Sequence, residues 1–178
     1  MSDRPALTDV ATLRARARQH IEMGPVTPGY RPDREVVLKL LNDALATELV
    51  CVLRYKRHYF AASGIHSQAV KDEFLEHANE EMGHADELAK RIVELGGLPN
   101  FSPDGLLQRS HAEYVPGDTL ADMIREDLVA ERIAIDSYGE IIAYLGPDDP
   151  TTRRVLEGIL ATEEEHADDL RSLLEHVS

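Results

Sequence analysis

The sequence contains a single cysteine, Cys51, among its 178 residues. One thiol excludes an intrachain disulfide and any metal site built from cysteines alone. No apolar run approaches the roughly 18 residues that a membrane-spanning helix needs, and the first residues, MSDRPALTDV, lack the apolar stretch of a signal peptide. We therefore expect a soluble, cytoplasmic protein with no membrane partner.

Positive charge is also scarce. The chain has 19 Lys and Arg against 33 Asp and Glu, which gives a net charge of -14 and a pI near 4.9. Such an acidic surface argues against nucleic acid and anionic membranes as partners and favours a protein that handles cations. Three alternate arginines, Arg14, Arg16 and Arg18, suggest a DNA-binding tail, but five acids offset the six arginines of residues 1–35. We do not expect DNA binding and assign this segment to packing between subunits.

Strand-like alternation of β-branched residues is absent, and the chain between Gly and Pro clusters is rich in Ala, Leu, Glu and Arg. The sequence therefore predicts an all-α fold. The pattern gives an N-terminal extension over 1–32 and an antiparallel four-helix bundle over 33–178, with a long B–C crossover between its second and third helices. The predicted helices are a short one at about 8–23, capped by Thr8, and four long ones at about 33–62 (capped by Asp33), 66–95, 119–145 and 150–176.

Each long helix carries a stripe with alternating spacings of four and three, which is typical of a buried face. The stripes are apolar at their ends, but each has a Glu, or a Glu and a His, at its middle. In the third long helix the stripe reads Ile124, Leu128, Glu131, Ile135, Tyr138, Ile142 and Leu145. The mid-stripe residues of the four helices are Glu48, then Glu81 and His84, then Glu131, then Glu163 and His166.

Buried carboxylates need compensating charge, because an unpaired one costs several kcal/mol or takes up a proton. Two divalent or trivalent metal ions would supply that charge. In Glu-x-x-His the two side chains lie on one helix face, so both can bind one ion. Carboxylates with some imidazole suit iron or manganese better than structural zinc. The alternative, a solvated charged face, conflicts with the position of these residues inside apolar stripes.

The chain also repeats itself. Residues 81–88 and 163–170 both read E-x-x-H-A-D-x-L, and a tyrosine follows Glu48 and Glu131 by seven residues each, as Tyr55 and Tyr138. Each helical hairpin thus carries Glu, then Tyr, then Glu-x-x-His. Two such hairpins related by an approximate two-fold axis would build a pseudo-symmetric dinuclear site.

Over residues 36–176 the sequence resembles the ferritin-like di-iron carboxylate superfamily, whose known ligand pattern is this Glu plus Glu-x-x-His arrangement. Within that superfamily it resembles bacterioferritin and the Dps-like thioferritins. Glu81-Met-Gly-His84-Ala-Asp, followed by Leu95-Gly-Gly-Leu-Pro-Asn100, resembles the second helix of bacterioferritin and its exit. The resemblance implies a ferroxidase with two iron ions per subunit on the six residues above, and Tyr55 beside them as an electron donor.

The same resemblance implies a function in iron storage and detoxification. Fe²⁺ would be oxidised by O₂ or H₂O₂, and Fe³⁺ mineral would be stored inside a homo-oligomeric shell. We expect no counterpart of the short fifth helix of bacterioferritin after the fourth long helix, and about 32 residues precede the first long helix. By the resemblance, both features favour a dodecamer over a 24-mer. Thioferritins have a cysteine pair near the centre, whereas Cys51 stands alone.

Met82 falls where bacterioferritin has its haem-ligating methionine, so haem b is one interpretation; we expect packing or an interface instead. His77, one turn before Glu81, is expected to be a hydrogen-bonded core histidine or a residue on the metal access route. The alternative function is a di-metal redox enzyme without mineral storage, either manganese catalase-like or a peroxidase. A rubrerythrin-like peroxidase is excluded, because one cysteine cannot build its Cys₄ centre.

Overall fold

The computed structural model describes residues 6–64 and 67–177, and all regular secondary structure in those ranges is helical. The predicted all-α bundle is confirmed, and the four long helices begin and end within two residues of their expected bounds. The helices are α1 (Val10–Arg16), α2 (Arg34–Ala61), α3 (Ser67–Glu94), α4 (Leu106–Arg109), α5 (Leu120–Leu145) and α6 (Pro150–Val177).

The N-terminal helix is shorter than predicted, so the expectation of one helix over 8–23 is wrong. α1 covers Val10–Arg16, and its cap is Asp9 rather than Thr8, since Asp9 accepts a hydrogen bond from the Thr12 backbone N–H at 2.9 Å. A separate 3₁₀ turn follows at Ile21–Met23. No residue of α1 is buried, and a short helix without a packed face gains little to extend it.

The long helices begin and end at the signals that the sequence carries. Asp33 accepts hydrogen bonds from the backbone N–H groups of Glu35 and Val36 and so begins α2. Thr119 forms a capping box with Asp122 at the start of α5. Beyond α3, Gly96 adopts a positive φ of 76°, which a residue without a side chain tolerates best.

The helices pair as two hairpins. α2 packs along α3 and α5 along α6, while contacts between α2 and α5 and between α3 and α6 join the hairpins. Two apolar clusters fill the ends of the bundle, one around Leu41, Leu88 and Leu156 and the other around Phe74 and Ile124. The middle of the bundle is left for polar side chains. No helix within the described ranges is both long and apolar enough to cross a membrane.

The buried face of α5 differs from the predicted stripe. Leu128, Ile135 and Ile142 are only partly buried, whereas Asp127 and Ile141 are buried. The seven-residue series Ile124, Glu131, Tyr138 and Leu145 stays buried as predicted. Between its members the buried residue lies three positions on rather than four, at Asp127, Ala134 and Ile141, because positions i+3 and i+4 lie side by side on the same helix face.

Candidate metal centre

The structure brings all six predicted ligands together in the middle of the bundle. Every one of them is buried, and the most exposed, His84, is only 8% accessible. Each helix of the bundle contributes from its mid-length: Glu48 from α2, Glu81 and His84 from α3, Glu131 from α5, and Glu163 and His166 from α6.

The six side chains form two overlapping groups. One comprises Glu48, Glu81, His84 and Glu163, and the other comprises Glu81, Glu131, Glu163 and His166. Within each group one potential ligand atom per residue lies within 4.8 Å of all the others. Glu81 and Glu163 belong to both groups, so they have the positions of bridging carboxylates. Each group also has one Glu and one His of its own.

Both imidazoles turn Nδ1 towards the carboxylates. His84 Nδ1 lies 3.0 Å from Glu163 Oε1 and 3.2 Å from Glu81 Oε2. His166 Nδ1 lies 3.6 Å from both Glu81 Oε1 and Glu163 Oε2 and 3.9 Å from Glu131 Oε2. A metal bound here would therefore meet Nδ1 of each histidine.

Burial and crowding strongly perturb the carboxylates. Burial, reinforced by the Glu81 charge, raises the pKa of Glu48 well above its ordinary value. Burial and the Glu48 charge raise the pKa of Glu163 to about 8. Burial also opposes ionisation of Glu131, but the contacts with His166 and Glu163 outweigh it and lower the pKa of Glu131 to about 2. Without metal, the centre must therefore hold protons on some of its carboxyl groups.

The histidines are perturbed in the complementary direction. Burial alone would lower the pKa of His84, but the neighbouring carboxylates of Glu163, Glu48 and Glu81 raise it to about 12. The pKa of His166 rises for the same reason, chiefly through Glu131 and Glu163. In the metal-free protein the imidazolium groups partly balance the carboxylates. A metal ion would have to displace these protons as it binds.

The hydrogen-bond inventory supports a cation in the middle of the centre. Five buried side-chain atoms of the six residues have no hydrogen-bond partner within the described chain: Glu81 Oε1, Glu131 Oε2, both oxygens of Glu163, and His166 Nδ1. Buried polar atoms are rarely left unsatisfied in folded proteins. These atoms belong to both groups, so the donor set fits two metal ions.

Two buried tyrosines, one on α2 and one on α5, each donate a hydrogen bond to a glutamate on the other helix. Tyr55 of α2 donates a hydrogen bond to Glu131 of α5, and Tyr138 of α5 donates one to Glu48 of α2. Burial, reinforced by the charge of the carboxylate that each one contacts, raises both tyrosine pKa values. Both phenols therefore remain protonated donors at neutral pH.

Two further residues of α3 contact His166 from outside the two groups. The ring of His77 stacks on that of His166 with 3.9 Å between centroids, and its Nδ1 lies 3.2 Å from Tyr55 Oη. Burial and the neighbouring His166 lower the pKa of His77 to about 4. Glu80, which is not one of the six mid-stripe residues, lies with Oε2 2.7 Å from His166 Nε2. Such a contact fixes the orientation of an imidazole and leaves Nδ1 for metal.

A buried charged network beside the centre escaped the sequence analysis. Asp127 Oδ1 accepts from Arg54 Nε at 2.7 Å, and Asp127 Oδ2 lies 2.7 Å from His58 Nδ1. Arg54 also donates to the Glu113 carbonyl at 2.8 Å, and His58 Nε2 contacts the Pro116 carbonyl at 2.9 Å. The network fastens the crossover between α4 and α5 onto α2. The sequence did contain one indication of this network: Arg54 and His58 are four residues apart, which places them side by side on one face of α2.

The two remaining predicted positions lie apart from the six residues. Cys51 is buried, and burial raises the pKa of its thiol, which disfavours the reactive thiolate. Met82 is 40% exposed on the outer side of α3. Haem at that residue stays a prediction from the sequence alone.

Comparison with known proteins identifies relatives at the level of sequence. The ferritin-like domain family matches residues 38–178. The bacterioferritin of Mycobacterium bovis is 33% identical over 147 residues, which cover 78% of this chain and 84% of that protein. The bacterioferritin of Brucella melitensis is 32% identical over 142 residues, covering 78% and 83%.

Solved structures with a similar fold include a bacterioferritin-related protein and a Dps protein. A dodecameric thioferritin, described as the bacterioferritin-related protein of Bacteroides fragilis, has a TM-score of 0.78 and 32% identity, covering 82% of this chain and 88% of that one. Dps from Thermosynechococcus elongatus has a TM-score of 0.75 and 25% identity, covering 79% and 90%.

Proposed function

The chain belongs to the family of ferritin-like domains, and from that premise we propose that it is a ferroxidase that stores and detoxifies iron. It would oxidise Fe²⁺ at a dinuclear centre within each subunit and keep the Fe³⁺ mineral inside an oligomeric shell. The observation that carries the proposal is the pair of overlapping ligand groups, with Glu81 and Glu163 common to both.

Charge and chemistry match two Fe²⁺ ions as substrate. The four carboxylates, once ionised, carry four negative charges, which two divalent ions neutralise in a buried site. Glu48 and His84 would complete one position, and Glu131 and His166 the other. Oxygen ligands with one imidazole per ion suit ferrous iron.

Binding both ions before oxidation allows two electrons to leave together. Two Fe²⁺ give two electrons to one O₂, which takes up two protons and forms H₂O₂; with H₂O₂ as oxidant the same two electrons and two protons give two waters. Tyr55 is the proposed further electron donor. Its hydrogen bond to Glu131 supports this role, since the phenol lies directly against a proposed ligand.

We propose a dodecamer of this chain as the shell. The similar thioferritin of Bacteroides fragilis is dodecameric. Large apolar side chains are also exposed on the single chain, among them Leu53, Phe60 and Val93, and exposed apolar surface often marks a protein interface. Native mass spectrometry of protein purified without added metal reports the number of subunits, bound haem and metal content together.

An anaerobic Fe²⁺ titration followed by addition of O₂ or H₂O₂ tests the function. We expect about two Fe²⁺ per subunit to be oxidised faster than in buffer. Glu163→Gln should lose this rapid oxidation, whereas the exposed neighbour Glu164→Gln should keep it. Equal rates for the two variants and for buffer would refute the proposal. Manganese on isolation, with steady O₂ release from peroxide, would instead indicate a manganese catalase-like enzyme.

A further inference from the structure

A third cluster of potential ligands lies next to the dinuclear centre. Glu73 and His77, one turn apart on α3, meet Asp169 of α6, and one ligand atom of each lies within 4.8 Å of the others. His77 is only 2% exposed, Glu73 is partly buried and Asp169 is exposed. The cluster therefore runs from the protein surface to a buried imidazole.

The hydrogen bonds around His77 determine which of its two ring nitrogens carries the proton. The other nitrogen has a lone pair. Tyr55 has one hydroxyl proton, which it donates to Glu131. The His77 Nδ1 atom, 3.2 Å from Tyr55 Oη, must then supply the proton for that contact. A neutral imidazole with its proton on Nδ1 has a lone pair on Nε2. This Nε2 lies 3.3 Å from Glu73 Oε1.

A lone pair and a carboxylate oxygen cannot satisfy each other, because neither has a hydrogen to donate. Within residues 6–64 and 67–177, neither Glu73 nor Asp169 forms an ion pair with a lysine or arginine. The charges of Glu76 and Glu80 also act on Glu73. The cluster therefore presents a lone pair and two carboxylates that no lysine or arginine of the described residues pairs with, which is a donor set for a cation.

The internal repeat shows that this cluster is not a by-product of the duplicated motif. When Glu163 is aligned with Glu81, the positions that match Glu73 and His77 hold Val155 and Ile159. The two ligand groups contain the same kinds of residue. Beside His166, however, α3 carries the additional pair Glu73 and His77, whereas α6 has two apolar residues at the matching positions. The stacked rings of His77 and His166 connect the two sites directly.

We propose that Glu73, His77 Nε2 and Asp169 form an auxiliary binding site for a first-row divalent cation, from which metal passes to the His166 position of the dinuclear centre. Two carboxylates and one imidazole suit Fe²⁺, Mn²⁺, Co²⁺ or Zn²⁺. The site is open to solvent at Asp169 and closed at His77. It is a separate site from the six residues of the proposed ferroxidase centre.

Anaerobic equilibrium dialysis of the metal-free protein against Co²⁺ tests the proposal. The Glu73→Gln/Asp169→Asn double variant should bind about one Co²⁺ per subunit fewer than the wild type. A matched control, Asp72→Asn/Asp168→Asn, removes the same charge from exposed neighbours of the two residues and should bind as many ions as the wild type. Circular dichroism checks that both variants keep their helices.

The expected result is the difference in bound Co²⁺ between the double variant and the wild type. This difference does not depend on how many ions the dinuclear centre holds. An equal Co²⁺ count in the double variant and the wild type would overturn the proposal, as would an equal loss in the control. Failure of the proposed ferroxidase function would appear elsewhere, as slow Fe²⁺ oxidation in a protein whose Co²⁺ counts still differ by one. Stopped-flow Co²⁺ binding should also show slower filling of the centre in the double variant; equal filling rates would refute the transfer of metal to the His166 position.

Discussion

Replacement of Glu163 by Gln should stabilise the metal-free protein while it weakens metal binding at the centre of the bundle, where Glu163 belongs to both ligand groups. Glu163 is fully buried, and burial with the Glu48 charge raises its pKa from 4.5 to about 8. At pH 7 the folded protein therefore keeps a proton on a carboxyl group that is ionised in the unfolded chain. Gln has nearly the same shape and needs no proton in either state.

The size of the effect follows from proton linkage. A proton held at pH 7 on a group with an unfolded pKa of 4.5 costs about 1.4 kcal/mol for each pH unit between them, or about 3 kcal/mol. Protons shared with Glu131 reduce this to about 1–3 kcal/mol. In a chain of this length each kcal/mol moves the melting temperature by about 2–4 °C. The variant should thus melt about 2–12 °C above the wild type at pH 7.

The dependence on pH distinguishes this reasoning from a general packing effect. A group whose folded pKa is raised contributes stability below its unfolded pKa, and that contribution is lost as pH rises through the folded pKa. The wild type should therefore lose stability relative to Glu163→Gln between pH 4.5 and 8. At about pH 5 the two proteins should melt nearly together, because the proton then costs less than about 1 kcal/mol.

Thermal melts in a chelator at pH 5, 6, 7 and 8, followed by circular dichroism at equal protein concentration, measure the gap. The exposed neighbour variant, Glu164→Gln, should melt like the wild type throughout. Added Co²⁺ should reverse the order, since the variant lacks a carboxylate that both ligand groups share and so gains less stability from the metal. A metal-free Glu163→Gln that melts below the wild type at pH 7, or a gap that does not change with pH, would refute the reasoning.

Three other perturbations address the centre and its supports. Metal affinity should rise from pH 6 to pH 8, because divalent ions displace protons held by carboxyl groups such as Glu48; calorimetry in buffers of different ionisation enthalpy should show proton release, and constant affinity would contradict it. Tyr55→Phe should keep the Co²⁺ count but remove any tyrosyl signal from electron paramagnetic resonance after oxidation; a persistent signal would exclude Tyr55 as donor. Asp127→Asn should cost about 3–5 kcal/mol in urea unfolding, because Arg54 and His58 lose the buried carboxylate they share; a loss below about 1 kcal/mol would show that the network adds little.

The grouping of the six central residues was predictable because helix geometry alone positions them. A carboxylate in phase with an apolar stripe must point into the bundle, and four stripes carry one at mid-length. Hairpins with short turns bring those mid-lengths to the same height. The prediction therefore needed the period of the helix and the length of each segment, and both can be read from the sequence.

The supporting contacts depend on distances between helices, which a stripe does not encode. Glu80 lies off the stripe of α3, where a charged side chain normally faces solvent, yet it reaches His166 across the helix interface. Asp127 is buried because Arg54 and His58 of another helix surround it. Each of these residues, taken on its own helix, resembles an ordinary surface charge.

The crossed tyrosine bonds also fix how the two hairpins are aligned. Each tyrosine donates its hydrogen bond to a carboxylate of the other hairpin. Neither hairpin alone therefore contains both a tyrosine and the glutamate that the tyrosine orients. A slip of one turn, about 5.4 Å, would break both bonds together and separate Glu81 and Glu163, the two glutamates common to both groups, from the other four residues. The two hydrogen bonds therefore fix the register of one hairpin against the other. The six residues come together only when the hairpins have docked in that register.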